Sequence, residues 1–141
     1  MPSTLNPVNV VTDFLIKSQV QYLATIGLDE KPKVRPFQFM REEGGRLYFC
    51  TSNQKPVFKE LQKHPHVEFC ASGANFSWLR LSGKVVVSKD LGLKAKILEA
   101  SPLVKSIYKT PDNPIFEIFY LDGAVATIAD FSGNPPRTFQ L

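Results

Sequence analysis

The sequence has little of what most metal, redox-thiol and nucleic-acid chemistry requires. Its 141 residues include two cysteines, two histidines and one tryptophan. Cys50 and Cys70 stand in separate apolar segments with no C-x-x-C spacing. They read as buried, reduced thiols rather than as a disulfide or a metal site. His64 and His66 flank Pro65 but have no third ligand nearby. They suit a helix end, where a cationic or polar group complements the dipole. Asp13, Glu60, Glu68, Glu99 and Glu117 show no paired arrangement for acid–base work. No run of basic residues exceeds two, and the net charge is only +4. A nucleic-acid partner is therefore not expected, and a basic pocket for an anionic small molecule explains the sign equally well. No apolar run approaches the roughly 20 residues that cross a bilayer. The start, MPSTLNPVNVV, lacks the charged beginning and long apolar core of a signal peptide. The expectation is a soluble, cytoplasmic protein with no membrane partner. No internal repeat, linker or low-complexity segment divides the chain, which is expected to be one domain over 1–141.

What is present is aromatic and extended. Eleven phenylalanines and 43% hydrophobic residues supply a core. Asn6-Pro7 reads as an N-cap followed by proline at the first helical position, and Val10, Val11, Phe14 and Leu15 recur at helical spacing. A short helix over 7–18 follows. QYLATIG (21–27), KPKVRPFQFM (31–40) and RLYFCT (46–51) read as three strands joined by the polar turns LDEKPK and REEGG. A helix is predicted over about 54–63, ending at Pro65. Strands follow at 66–73 and along 76–89, with Gly83 marking a bulge. A helical stretch over 90–109 breaks at Ser101-Pro102, where Ser101 can cap the second piece. Two strands over 114–131 hinge at Asp122-Gly123, a hairpin signal, and SGNPPRTFQL is a turn-rich tail. With no βαβ alternation, these elements point to a small, mainly β, antiparallel barrel with short helices.

Pro36 is the odd residue in this pattern. It has no N–H for a sheet, which confines it to an edge strand, a strand start or a bulge. Beside it stands Arg35, sharing a face with Phe37 and Phe39. Thr51, Ser52 and Lys55 precede a helix, where hydroxyls, N–H groups and a positive dipole end suit an anion. Read without further context, Ser52 or Asn53 is first a plain N-cap and Lys55 a solvated lysine; the family pattern below reverses that preference. Trp78 and Arg80 share a strand face. They could line a ligand site, or form an interface aromatic and an inter-strand ion pair.

The ordered set YLATIG, KPKVRPFQFM, RLYFCTSNQKPVFKEL, HPHVEFC and WLRLSGKV resembles the pyridoxamine 5′-phosphate oxidase-like flavoproteins of the FMN-binding split barrel. The similarity covers roughly residues 10 to 130. It implies an antiparallel split barrel, bound FMN and a homodimer with the cofactor at the subunit interface. It implies an FMN phosphate held by Arg35, Thr51, Ser52 and Lys55, and a ring against the edge formed by Pro36, Phe37 and Gln38. Trp78 and Arg80 become candidates for stacking and for an anionic group. The implied activity is oxidoreduction of an unidentified small molecule, with NAD(P)H as a candidate electron donor. A non-catalytic flavin or haem carrier is the alternative the same barrel allows. The true oxidases have further basic residues where this chain has Met40, and Arg137 is its only late arginine. The chain thus looks more like the short members, including those linked to nitroimidazole reduction.

Overall fold

A computed structural model describes residues 6–141. Helix α1 (Pro7–Ser18) starts as the sequence predicts: the Asn6 side chain accepts from the Val8 N–H, and Val11 and Leu15 are buried. It leads into β1 (Gln21–Ile26), β2 (Pro32–Phe37), β3 (Arg41–Glu43) and β4 (Arg46–Ser52). Helix α2 (Pro56–Lys63) precedes β5 (His66–Ser72) and β6 (Trp78–Ser88). Helices α3 (Leu91–Ala100) and α4 (Pro102–Tyr108) come next, then β7 (Phe116–Ala129) and β8 (Arg137–Gln140). The break at Ser101-Pro102 is present, and the Ser101 side chain accepts from the Val104 N–H.

All eight strands form one antiparallel sheet in the order β2-β1-β5-β6-β7-β4-β3, with β8 added to β7. The sheet curls without closing its hydrogen-bond ladder. Residues 38–40 carry the chain from one end of it to the other. Two bonds hold that crossing: the Phe39 N–H donates to Gln21 Oε1 at 2.6 Å, and the Met40 N–H to the Tyr48 carbonyl at 3.0 Å. Gln21, fully buried, also donates to the Leu15 carbonyl, so α1, β1 and the crossing are fixed together.

Two differences from the sequence expectations have physical causes. Asp122-Gly123 does not turn a hairpin. Both flanks of the dipeptide pair with β6, from Ser88–Ile118 to Trp78–Ala129, so β7 runs through as one long strand. Gly123, at φ +62°, bends it, and the register shift falls between Ser82 and Lys84. Gly83 sits in that shift, as expected. A Cβ there would lie 2.9 Å from the Leu121 side chain, so only glycine lets the two strands approach. The tail does not remain irregular either: β8 pairs with Val125–Ile128 of β7.

The curled sheet encloses an aromatic core. Phe49 and Phe69 stack with ring centroids 4.1 Å apart, and Phe37 meets Phe69 and Phe119 edge-on at 6.0 Å each. Such pairs are each worth about 0.5–1.5 kcal/mol beyond their burial. A second core lies outside the barrel, where α3 and α4 cover Tyr48, Phe116 and Ile118. Cys50 packs against it, whereas Cys70 is exposed, contrary to its expected burial. Among the described residues no helix is long and apolar enough to cross a membrane.

Candidate functional site

The split in the barrel leaves a groove of about 360 Å³ between the end of β2 and β4, walled by α4. Pro36, Phe37, Gln38, Thr51 and Lys55 all line it. Five of the nine predicted site residues are thus brought together from two separate stretches of the chain, 36–38 and 51–55. The groove exists because β2 stops pairing at Phe37 and the chain must cross to β3. Proline is tolerated there because β2 is the last strand of the sheet.

The groove's walls differ in chemistry. On one side stand Met40, Val104, Tyr108 and Cys50. Burial pushes the Cys50 thiol up to about 12, so it is a neutral thiol at physiological pH. Burial likewise lifts the Tyr108 phenol to about 12. On the other side is the turn before α2. Lys55 is exposed, caps α2 with its backbone and makes no ion pair among the described residues. Thr51 is buried, and its hydroxyl is the one buried side-chain polar atom among the described residues with no hydrogen-bond partner. Leaving such a group unpaired costs about 1–3 kcal/mol. Neither Ser52 nor Asn53 caps α2: the Ser52 hydroxyl accepts from the Gln54 N–H, and Asn53 reaches away to β7.

The other predicted residues lie apart from this lining. Arg35 points to the barrel interior. It donates to the Leu23 carbonyl at 3.2 Å, to Thr25 Oγ1 at 2.7 Å and to Glu60 Oε1 at 2.6 Å. Glu60 is buried and also accepts from the Thr25 hydroxyl at 2.6 Å. Nothing in the sequence spacing ties Glu60 to Arg35; the pair forms because α2 lies across the barrel mouth. Trp78 and Arg80 occupy the outer face of β6. Trp78 meets Phe131 at 5.3 Å between centroids, and Arg80 pairs with Glu68 on β5. That outer face is uncovered, with Tyr22, Ile26 and Val34 each more than 40% exposed. It holds a larger concavity of about 710 Å³, lined in part by His66, Glu68 and Lys84, which contains none of the nine residues. His64 ends α2 and bonds to Glu30 at 2.9 Å. Among the described residues no cluster of His, Cys, Asp and Glu could hold a metal ion.

The sequence profile of the pyridoxamine 5′-phosphate oxidase family matches residues 9–127. The chain belongs to the pyridoxamine 5′-phosphate oxidase-like family. A NimC/NimA family protein from Clostridium acetobutylicum superposes on it with a TM-score of 0.87 at 34% identity, covering 96% of this chain and 94% of that one. A pyridoxamine 5′-phosphate oxidase-related, FMN-binding protein from Nostoc punctiforme shares the fold at a TM-score of 0.73 and 18% identity, covering 96% and 90%. A heme-binding protein from Mycobacterium smegmatis shares it at 0.74 and 16%, covering 99% of this chain but 60% of that one. No curated protein matches the chain. Within the family's antiparallel split barrel, the groove lies at the split itself, where the ladder is left open.

Proposed function

We propose that the protein binds FMN in the groove between β2 and β4 and acts, as a homodimer, as an FMN-dependent oxidoreductase on a small molecule. The observation that carries this reading is the buried, unpartnered Thr51 hydroxyl beside the unpaired Lys55 in a groove of small-molecule size. A phosphate ester needs charge-assisted donors, and this wall holds a cation, a hydroxyl and little that competes for them. Bound FMN would supply the hydride and electron transfer. The chain's own residues do the rest. Lys55 neutralises the phosphate, with Thr51 as its hydroxyl partner, and Ser52 holds the turn between them. The edge at Pro36, Phe37 and Gln38 offers backbone to a ring with carbonyls and N–H groups. Val104 and Tyr108 exclude water, and Cys50 stays protonated and inert. Among the described residues, the Nε–H and one Nη2–H of Arg35 have no protein partner, and Arg35 supports the strand from behind.

The uncovered outer face of β1, β2, β5 and β6 supports the homodimer. An exposed sheet face with large apolar side chains is a surface for association. Trp78 and Arg80 stand on it, so they would reach a flavin only from a second copy. The alternative of a haem carrier finds less support, because neither His64 nor His66 lines the groove.

The test is the absorbance spectrum of the isolated protein with and without added FMN. A flavin band at about one FMN per subunit is expected, bleached by anaerobic NAD(P)H if that is the donor. A colourless protein that ignores added FMN overturns the proposal, and a Soret band would favour the haem carrier.

A further inference from the structure

Glu117 is a buried carboxylate that none of the groove chemistry uses. It stands on β7 directly opposite Thr51 of β4 and is 4% exposed. Its Oε2 accepts from Asn53 Nδ2 at 2.7 Å, and its Oε1 from Lys89 Nζ at 2.9 Å. Lys94, also buried, stands close by and donates to the Phe116 carbonyl at 2.9 Å. The charge is therefore compensated, as a buried carboxylate requires.

Asn53 connects this carboxylate to the groove. It sits between Ser52 and Lys55 in the turn before α2. Its Nδ2 also donates to the Pro114 carbonyl at 2.7 Å, and its backbone N–H to the Ile115 carbonyl at 2.9 Å. All three bonds tie the turn to the start of β7. Within the turn, the Gln54 N–H bonds the Ser52 hydroxyl and the Lys55 N–H bonds the Ser52 carbonyl at 3.1 Å. The place of Lys55 thus follows from the turn, and the turn's place from Asn53. A long, exposed lysine holds an anion well only when its backbone origin is fixed, since ordering it otherwise costs rotamer entropy.

We infer that Glu117 is a positioning residue: through Asn53 it holds the Thr51–Lys55 turn in the geometry that grips the phosphate end of the ligand. This rests on the FMN reading above. It predicts an effect specific to the phosphate, which a general loss of packing would not produce.

The experiment compares FMN with riboflavin, which has the same ring and no phosphate, by fluorescence titration. The proteins are the wild type, Glu117→Gln and Asn53→Ala. Asn53→Ala removes two of the three tethers from a partly exposed turn, so it remains informative should Glu117→Gln fold poorly. The expected result is an FMN Kd raised about tenfold in each variant, the worth of a charge-assisted bond, with the riboflavin Kd changed less than about twofold. Equal losses for both ligands, or an unchanged FMN Kd in Asn53→Ala, would overturn the inference while leaving FMN binding standing. A wild type that binds neither ligand would overturn both readings.

Discussion

Helix α2 touches two polar groups that the chain treats in opposite ways. At its middle, Glu60 is buried and its Oε1 accepts from both Arg35 and Thr25. At its beginning, among the described residues, Lys55 is exposed without an ion pair and nearby Thr51 is buried without a hydrogen-bond partner. The first arrangement is matched in charge: the buried carboxylate faces a guanidinium and a hydroxyl within the chain. The second, at the start of the same helix, is incomplete. A buried network that satisfies itself holds the fold, whereas polar groups that the fold leaves unmatched mark where something else completes the set.

The largest test breaks the matched half. Glu60→Ala leaves Arg35 facing the interior without its counter-charge and should destabilise the protein by about 3 kcal/mol in urea unfolding. Replacing both Glu60 and Arg35 by methionine should recover most of that loss. If the single substitution is silent, the contrast between the two groups fails. The open half should answer oppositely. Lys55→Ala should raise the FMN Kd about tenfold while shifting unfolding by no more than about 0.5 kcal/mol. Thr51→Val, nearly isosteric, should stabilise the ligand-free protein by about 1 kcal/mol and weaken FMN binding. A Thr51→Val that destabilises would show that the hydroxyl already has a use in the fold.

The smallest effect, absent at neutral pH, concerns the dry wall of the groove. Cys50 is lifted from an ordinary 9.0 to about 12, and Tyr108 from 10.0 to about 12. Below pH 9 both groups are neutral in the folded and unfolded chains alike. Above it the unfolded chain loses protons that the folded chain retains, so stability falls as pH rises between about 9 and 12. Cys50→Ala should flatten the lower part of that decline. In the same window an alkylating reagent should modify exposed Cys70 and spare Cys50 in the native protein.

Much of this was legible in the residues. The caps at Asn6 and Ser101, the bulge at Gly83 and the breaks around α2 are local signals, and local physics decides them. The likeness in the ordered strands carried the barrel. The groove was legible as a set of types, Pro36 with Thr51 and Lys55, because edge backbone and unpaired donors are residue properties. What was not legible depended on distant partners. Arg35 and Glu60 are separated by the two strands β3 and β4, and Glu117 and Asn53 by nearly half of the 141 residues. Asp122-Gly123 carries a turn signal that pairing on both flanks with one long neighbour overrides. Gln21, which holds the crossing at Phe39, left no mark in the sequence.

The continuity of β7 has a consequence for how the protein is made. It pairs with β4 on one edge, β8 on that same edge further along, and β6 throughout the other. The ribosome delivers it after every other strand of the sheet except β8, since it begins at Phe116. Until then β4 and β6 each have an unsatisfied edge. Pairings so far apart in sequence form slowly, and exposed edges recruit other chains meanwhile. The nascent chain should therefore be most vulnerable to aggregation until β7 has cleared the exit tunnel.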